Sequence, residues 1–408
     1  MDVAATAAAA SESRKATAKT FCEFFAGIGL VRCGLADSRW RCTYANDIDP
    51  KKRELYEACF SQDDHFHLGD IWDTDQVVER IPDAPFLATA SFPCVDLSLA
   101  GNNQGFAGKH SSAFFGFVEV LQALGPRKPP LVMIENVAGF LTSHGGQDFA
   151  RAATALADLG YWLDALVLDA KYFVPQSRPR VFLIGVDAAL ASPVLVRSST
   201  KMIGDPWRSV VESSGPLRPA KLIHLMESIE LTTGWAAARI KPPAVDRAAL
   251  ESVIDTDDDQ EWWDNEQVAK HYEMMSDLHR NQVDGLLESG GPHVGTIYRR
   301  KRTGKTRAEV RLDGIAGCLR TPRGGSARQI VLVIDNGRLR LRWMSPREYA
   351  RLQGADDFPL VGKTTQQLFG FGDAVCVPAV RWIDQHILTP IFNAAQESAP
   401  TAKAPRPR

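Results

Sequence analysis

The sequence has little that would staple the chain covalently or anchor it in a membrane. Its seven cysteines (Cys22, Cys33, Cys42, Cys59, Cys94, Cys318 and Cys376) are an odd number without a CxxC pair or histidines at zinc-ligand spacing. That pattern argues against both a disulfide scaffold and structural zinc, and it leaves most of the thiols as small buried hydrophobes. Apolar runs such as Leu131–Ile134 and Val181–Val186 end at charge, proline or glycine, far short of the roughly 20 residues that a membrane span needs. The opening MDVAATAAAASESRKATAK has no basic stretch ahead of an apolar core and no cleavage site, so residues 1–18 read as a flexible tail of an intracellular protein. Residues 393–408, ending ESAPTAKAPRPR, read likewise as a flexible tail.

A net charge of −2 on 408 residues offers no general attraction to a polyanion. The charges are segregated, however. From Arg299 to Arg351, fifteen lysines and arginines stand against four acids, leaving +11, while DTDDDQEWWDNE at Asp255–Glu266 balances them. The acidic stretch reads as a solvated face, and the arginine-rich segment predicts contact with a phosphate backbone.

With 45% hydrophobic and 24% charged residues, the chain is expected to fold as two or three globular units. From Thr20 to about Asp187, short apolar runs alternate with amphipathic helical patterns, which predicts βαβ units in a mostly parallel α/β sheet. The expected strands are Thr20–Phe25, Arg41–Ala45, Phe86–Ala90, Leu131–Glu135, Tyr161–Leu168 and Arg180–Val186. The expected helices include Gly29–Ala36, Lys51–Ala58, Ala113–Leu124 and Phe149–Leu159. After Asp187 the regularity fades, and prolines, glycines and tryptophans spread through Ser192–Ser326, which predicts an inserted irregular domain. Helical patterning returns at SPREYARLQG near Ser345. The expected division is 19–190 and 341–392 for a discontinuous sheet domain, with 191–340 inserted between them.

Within TFCEFFAGIGLVRCGL, a strand leads through Gly27 and Gly29 into a helix, the arrangement that cradles adenosine cofactors at a sheet's carboxyl edge. A GxG turn alone is weak evidence, since a minority of such turns serve only to pack a strand against a helix. Asp47 at the end of the next strand could accept hydrogen bonds from ribose hydroxyls, and Asp70 with Ile71 could hold an adenine; as single residues, both aspartates are equally helix caps. Taken together, the three features predict an adenosine-cofactor site. SFPCVDLSLAG then places Cys94 in the loop after strand Phe86–Ala90, beside that site, and Glu135 ends an apolar strand at the same edge.

In order along the chain, FFAGIG, PCVDLS, ENV, QSRPR, REYARLQG and GFGDAV resemble the motifs of the bacterial cytosine-C5 DNA methyltransferase family. The resemblance covers Thr20–Asp187 and Arg342–Val380. It leaves the middle unmatched, as that family's variable target-recognition domain would be, except for GIAGCLRTPRGGSARQ, which looks like a loop near the end of that domain. It implies a Rossmann-like S-adenosylmethionine-dependent methyltransferase sheet carrying a smaller inserted target-recognition domain. It implies Cys94 as nucleophile at C6 of a cytosine, Glu135 at the N3 edge, Arg180 at O2 and Arg178 in support, with Gln176 ordering the loop. For S-adenosylmethionine it points to Phe25, Gly27, Ile28, Gly29, Asp47, Ile48, Asp70, Ile71, Pro93, Asp373, Ala374 and Val375. Two positions depart from the pattern: Asp373 stands where the family usually has asparagine, and Val95 follows the nucleophile in place of glutamine.

A base within a duplex is out of reach of any thiol, so the reaction requires base flipping, with the polar loop Leu99–Ser112 expected to close over the flipped base. Arg320, Arg323 and Arg328 are the expected DNA contacts. The resemblance also implies double-stranded DNA as partner and DNA methylation as the activity of a monomeric, cytoplasmic, nucleoid-associated protein. It is compatible with a restriction-modification system in which a cognate endonuclease acts on the same site without a stable complex. An RNA-methylating branch shares the cofactor and nucleophile motifs, but its Cys-Phe-Thr tripeptide is absent from this sequence. A catalytically silent DNA-binding regulator is the remaining alternative, with Cys94 and Glu135 against it and Asp373 for it.

Overall fold

The computed structural model describes residues 18–60, 64–82, 84–93, 113–190, 194–198, 205–302, 304–321 and 328–398. Cys94, Arg323 and the expected closing loop Leu99–Ser112 lie outside these residues.

The centre is a seven-stranded sheet formed by β1 (Thr20–Phe24), β2 (Arg41–Asp47), β3 (Phe66–Leu68), β4 (Leu87–Ala90), β5 (Leu131–Val137), β6 (Tyr161–Asp169) and β7 (Pro179–Asp187), in the order β3-β2-β1-β4-β5-β7-β6. Neighbours are parallel except β7, which runs antiparallel to both β5 and β6. Alternate residues of β5 serve opposite faces: Val132 and Ile134 enter one core, Leu131 and Met133 the other. Burial on both faces explains why its sequence is a continuous apolar run rather than an alternating one.

Helices α1 (Leu30–Leu35) and α2 (Pro50–Cys59) contribute to the second face, that of Leu131 and Met133, while α3 (Thr74–Arg80), α4 (Ala113–Ala123) and α5 (Gln147–Asp158) pack on the first, that of Val132 and Ile134. The short strand β3 and helix α3 add to the elements expected from sequence; three residues of strand and one polar seven-residue helix carry too little periodicity to stand out.

The first half of the inserted stretch is built into this same core. From α6 (Pro206–Ser213) and α7 (Ala220–Glu227), Trp207, Val211, Leu222 and Met226 join the first-face cluster. The pair β8 (Leu195–Arg197) and β9 (Ala236–Ala238) lies at the β6 edge, where Asp164 accepts from Arg218 Nε at 3.0 Å and from the Ala238 N–H at 2.8 Å. Both charged side chains are fully buried.

The second half departs from the irregular domain expected from sequence, for it forms an ordered antiparallel sheet. Its strands β10 (His293–Arg302), β11 (Lys305–Arg311), β12 (Ile330–Asp335) and β13 (Arg338–Trp343) follow helices α8 (Asn265–Glu273) and α9 (Asp277–Ser289), in the order β11-β10-β12-β13. Ile330, Leu332 and Ile334 face Met275 and Val283, while Val331 and Val333 face a cluster holding Tyr349, Leu352 and Phe371. Both faces are thus covered. The β12–β13 turn is Asn336-Gly337 with φ of 50° and 68°, the left-handed pair that the twist of a two-residue hairpin requires.

The chain returns through α10 (Pro346–Leu352), α11 (Thr364–Asp373), α12 (Val377–Ile383) and α13 (Thr389–Glu397). Val380, Ile383 and Ile391 complete the second-face core against Val31 and Leu35 of α1. Cys22, Cys42 and Cys376 are buried within these cores. Among the described residues no helix is long and apolar enough to cross a membrane.

Candidate active site

Strand order reverses between β1 and β4, so the connections leaving their carboxyl ends diverge and open a crevice there. After β1 the chain turns through Phe25, Gly27 and Gly29, with φ of 55°, 58° and 84°. Phe25 holds a conformation that costs an L-residue free energy. At Gly29 a Cβ would lie 2.5 Å from the Phe60 ring, so only glycine fits. Asp47 fastens this turn, accepting from the Gly27 N–H on one carboxylate oxygen and from the Asp49 N–H on the other, each at 2.9 Å.

Phe25, Gly27, Ile28, Asp373, Ala374 and Val375 line one cleft, together with Glu23, Lys52, Thr89 and Ser91. Of the other residues expected at a cofactor, Gly29, Asp47, Ile48, Asp70, Ile71 and Pro93 are not in that lining. Asp70 accepts from the Trp72 N–H at 3.1 Å, Ile71 is buried, and Ile48 is 65% exposed.

Two cleft residues were not singled out by the sequence pattern. Glu23, inside β1, is buried, and neither of its carboxylate oxygens has a hydrogen-bond partner among the described residues. Burial pushes its carboxyl up to about 8, against the opposing pull of Arg32. Lys52 of α2 lies 3.1 Å from the Asp373 carboxylate. Burial disfavours the Lys52 ammonium, but the Asp373 and Asp47 carboxylates outweigh it and hold the group above its ordinary value.

At the neighbouring edge, β5 and β7 bring together Glu135 and Arg180. Glu135 is paired across the ladder with Phe182, so Arg180, two residues earlier, is its diagonal neighbour on the same face. Arg180 Nε meets Glu135 Oε1 at 3.0 Å, with both side chains largely buried. Burial raises the Glu135 carboxyl above its ordinary value, although Arg180, Arg178 and the Ser91 hydroxyl pull the other way. Asn136 donates from Nδ2 to the Phe92 carbonyl at 3.2 Å, which ties the end of β5 to the segment leading into Cys94.

Arg178 is fully buried, and its guanidinium donates to backbone. Its Nη1 donates to Leu319 O at 2.8 Å and its Nη2 to Gly372 O at 3.0 Å and to Ala374 O. It therefore clamps the loop after β11 to the end of α11, next to the cleft. Gln176 acts alongside, donating to Leu352 O at 2.6 Å and accepting from the Leu319 N–H at 3.1 Å. The Cys318 thiol accepts from Arg178 at 3.4 Å, and the thiol is held below its ordinary value because these arginines and Arg320 outweigh its burial.

The acidic stretch is largely the solvated face expected from its composition, with Asp257–Asp259, Glu261, Asp264 and Glu266 exposed, but two of its acids meet arginines of the basic segment. Asp258 pairs with Arg340 at 2.7 Å, Asp255 with Arg351 at 2.6 Å, and the Trp262 ring lies under the Arg340 and Arg342 guanidiniums. Arg342 is itself buried against Glu348. Asp255 and Asp258 thus offset two charges of the +11 segment, whereas the Arg342–Glu348 pair lies inside that balance. Arg328 donates to Met344 O at 3.0 Å and lies over the Trp343 ring. Lys301, Lys305 and Arg307, at the β10–β11 hairpin, are exposed.

A family model for the C-5 cytosine-specific DNA methylase matches residues 19–389. Among similar proteins, a type II methyltransferase, M.BsuFI, of Bacillus subtilis is 34% identical over 167 residues, covering 41% of this chain and 39% of that one. A further type II methyltransferase, M.HpaII, of Haemophilus parainfluenzae is 25% identical over 393 residues, covering 92% of this chain and 90% of its own length. The shared stretch spans half or less of the length of the first three relatives. Among solved structures, a Spodoptera frugiperda DNMT2 mutant superimposes with a TM-score of 0.57 at 16% identity, covering 91% of this chain and 99% of that one.

Proposed function

From the premise that the chain belongs to the C-5 cytosine-specific DNA methylase family, we propose that it is a DNA (cytosine-5)-methyltransferase using S-adenosylmethionine and double-stranded DNA. The observation that carries this reading is the buried Glu135–Arg180 pair, joined through Asn136 to the segment entering Cys94 and adjoining the cleft behind β1.

The cleft fits such a cofactor. Its turn is held open by left-handed backbone, and its lining carries the buried Glu23 carboxyl, the Lys52–Asp373 ion pair and the Thr89 and Ser91 side chains among apolar and main-chain groups. Phe25, Gly27, Ile28 and Asp373–Val375 would line it, with Asp47, Ile48, Asp70, Ile71 and Pro93 at or just beyond the carboxyl ends of β2, β3 and β4. When bound, S-adenosylmethionine supplies an electrophilic methyl group.

Cytosine is unreactive at C5, and addition of the Cys94 thiolate at C6 divides a difficult substitution into two easier steps. Glu135, whose burial favours the protonated form, donates to N3 as negative charge builds on the ring. Arg180, already oriented by Glu135, supplies the positive group for O2. Arg178 acts through the backbone, holding the Leu319 and Gly372 loops at the pocket. C5 then takes the methyl group, a base removes the C5 proton, and β-elimination breaks the Cys94–C6 bond and frees the thiolate. The exposed Lys301, Lys305 and Arg307, with Arg320, Arg323 and Arg328, are the proposed contacts to DNA, whose phosphates would take up the positive charge left on this sheet. A monomer sharing its site with a restriction endonuclease fits this reading.

The test is incubation with labelled S-adenosylmethionine and mixed-sequence duplex DNA, followed by mass spectrometry of the nucleosides. 5-Methylcytosine is the expected product, lost in Cys94→Ser while cofactor binding persists. Cofactor binding without any 5-methylcytosine would overturn the proposal.

A further inference from the structure

We propose that Lys52 and Asp373 form a paired recognition site for the amino-acid end of S-adenosylmethionine, the lysine for its carboxylate and the aspartate for its ammonium. This inference rests on the cofactor reading above and adds a residue, Lys52, that none of the motifs contains.

Three observations converge on it. Both side chains line the cleft shared with Phe25, Gly27 and Ile28, although one comes from the first turn of α2 and the other from the last residue of α11. They meet at 3.1 Å while remaining 24% and 46% exposed, so each retains hydrogen-bonding capacity toward a ligand. An ion pair is also the chemical complement of a zwitterion, whose two charges can each find an opposite charge without leaving either member of the pair unsatisfied.

The pair also accounts for the departure at Asp373. An asparagine side chain donates and accepts, whereas a carboxylate only accepts and would repel a ligand carboxylate. Lys52 returns a donor to the same place and cancels the repulsion. Asp47 lends Lys52 further negative potential, keeping the ammonium charged despite its partial burial.

The experiment is a double-mutant cycle read by calorimetric binding rather than turnover. Wild type, Lys52→Met, Asp373→Asn and the double variant are titrated with S-adenosylhomocysteine and with 5′-methylthioadenosine, which lacks the amino-acid end. Lys52→Met is expected to weaken S-adenosylhomocysteine about tenfold or more in the Asp373 background, and only about twofold once Asp373 is asparagine. Affinity for 5′-methylthioadenosine should stay within about twofold throughout. Equal losses for both ligands would mean that Lys52 only shapes the cleft, and unchanged S-adenosylhomocysteine binding would mean that it does not recognise the ligand; either result overturns the pair. Wild-type protein binding neither ligand would instead remove the cofactor reading itself, and the pair with it.

Discussion

Glu23 makes the fold sensitive to pH in a way that one substitution should expose. Its carboxyl is buried in the middle of β1 without a hydrogen-bond partner among the described residues, and burial lifts it from an ordinary 4.5 to about 8. The native state thus keeps a proton that the unfolded chain releases. Its contribution to stability is fully present below 4.5 and is lost as pH rises toward 8, with little change beyond. At about 1.4 kcal/mol per pH unit, the whole displacement corresponds to about 5 kcal/mol, of which about 3 kcal/mol falls between about pH 5.5 and pH 8.5. Glu23→Gln keeps the shape of the side chain but cannot ionise. Urea unfolding of both proteins, followed by tryptophan fluorescence across that range, isolates the effect, because every other titrating group cancels in the difference. Wild type should lose about 3 kcal/mol relative to the variant as pH rises. A difference that stays constant within about 1 kcal/mol would refute the assignment of a carboxyl forced neutral by burial.

Other expectations follow from groups of known partners. Asp164→Ala strands the buried Arg218 guanidinium at the β6 edge and should cost about 3–5 kcal/mol in urea unfolding; a loss below about 1 kcal/mol would mean that water reaches the arginine. Arg178→Lys replaces a planar fork that serves Leu319, Gly372 and Ala374 with a single ammonium, and about 2–4 kcal/mol of destabilisation is expected by the same measurement. Glu135→Gln should lower kcat about 100-fold or more while cofactor affinity, read by calorimetry, changes less than about threefold. Unchanged turnover in that variant would exclude Glu135 as the proton donor.

Much of the sheet domain is legible in one dimension. The strands from β1 to β7 lie within two residues of their expected ends, apart from β3, because burial on both faces makes each a compact apolar run between turn residues. Local order also reveals the loops that end those strands, and so brings Phe25–Gly29, Phe92–Pro93 and Glu135 to one edge. The insertion is less legible. Its β12–β13 hairpin does carry a local signal, IVLVID followed by Asn336-Gly337, but β10 and β11 mix arginines with short apolar stretches, and their pairing partners are set by distant contacts.

Charge shows most sharply where sequence stops. A run of acids at Asp255–Glu266 and a run of arginines beyond Arg299 look alike as solvated or ligand-binding faces, because composition does not say which charges will meet. Folding sets Asp255 against Arg351 and Asp258 against Arg340, and leaves Lys301, Lys305 and Arg307 of the β10–β11 hairpin exposed, as it does Arg320 and Arg338. The same holds in the cleft: a glycine turn and an acid at strand ends can be read from local periodicity and spacing alone. That Glu23 is buried without a hydrogen-bond partner among the described residues, that Arg180 faces Glu135 and that Lys52 meets Asp373 follows from the packing of separate elements. Coulombic and desolvation energies depend on distances between elements, and those distances exist only once the layers have packed.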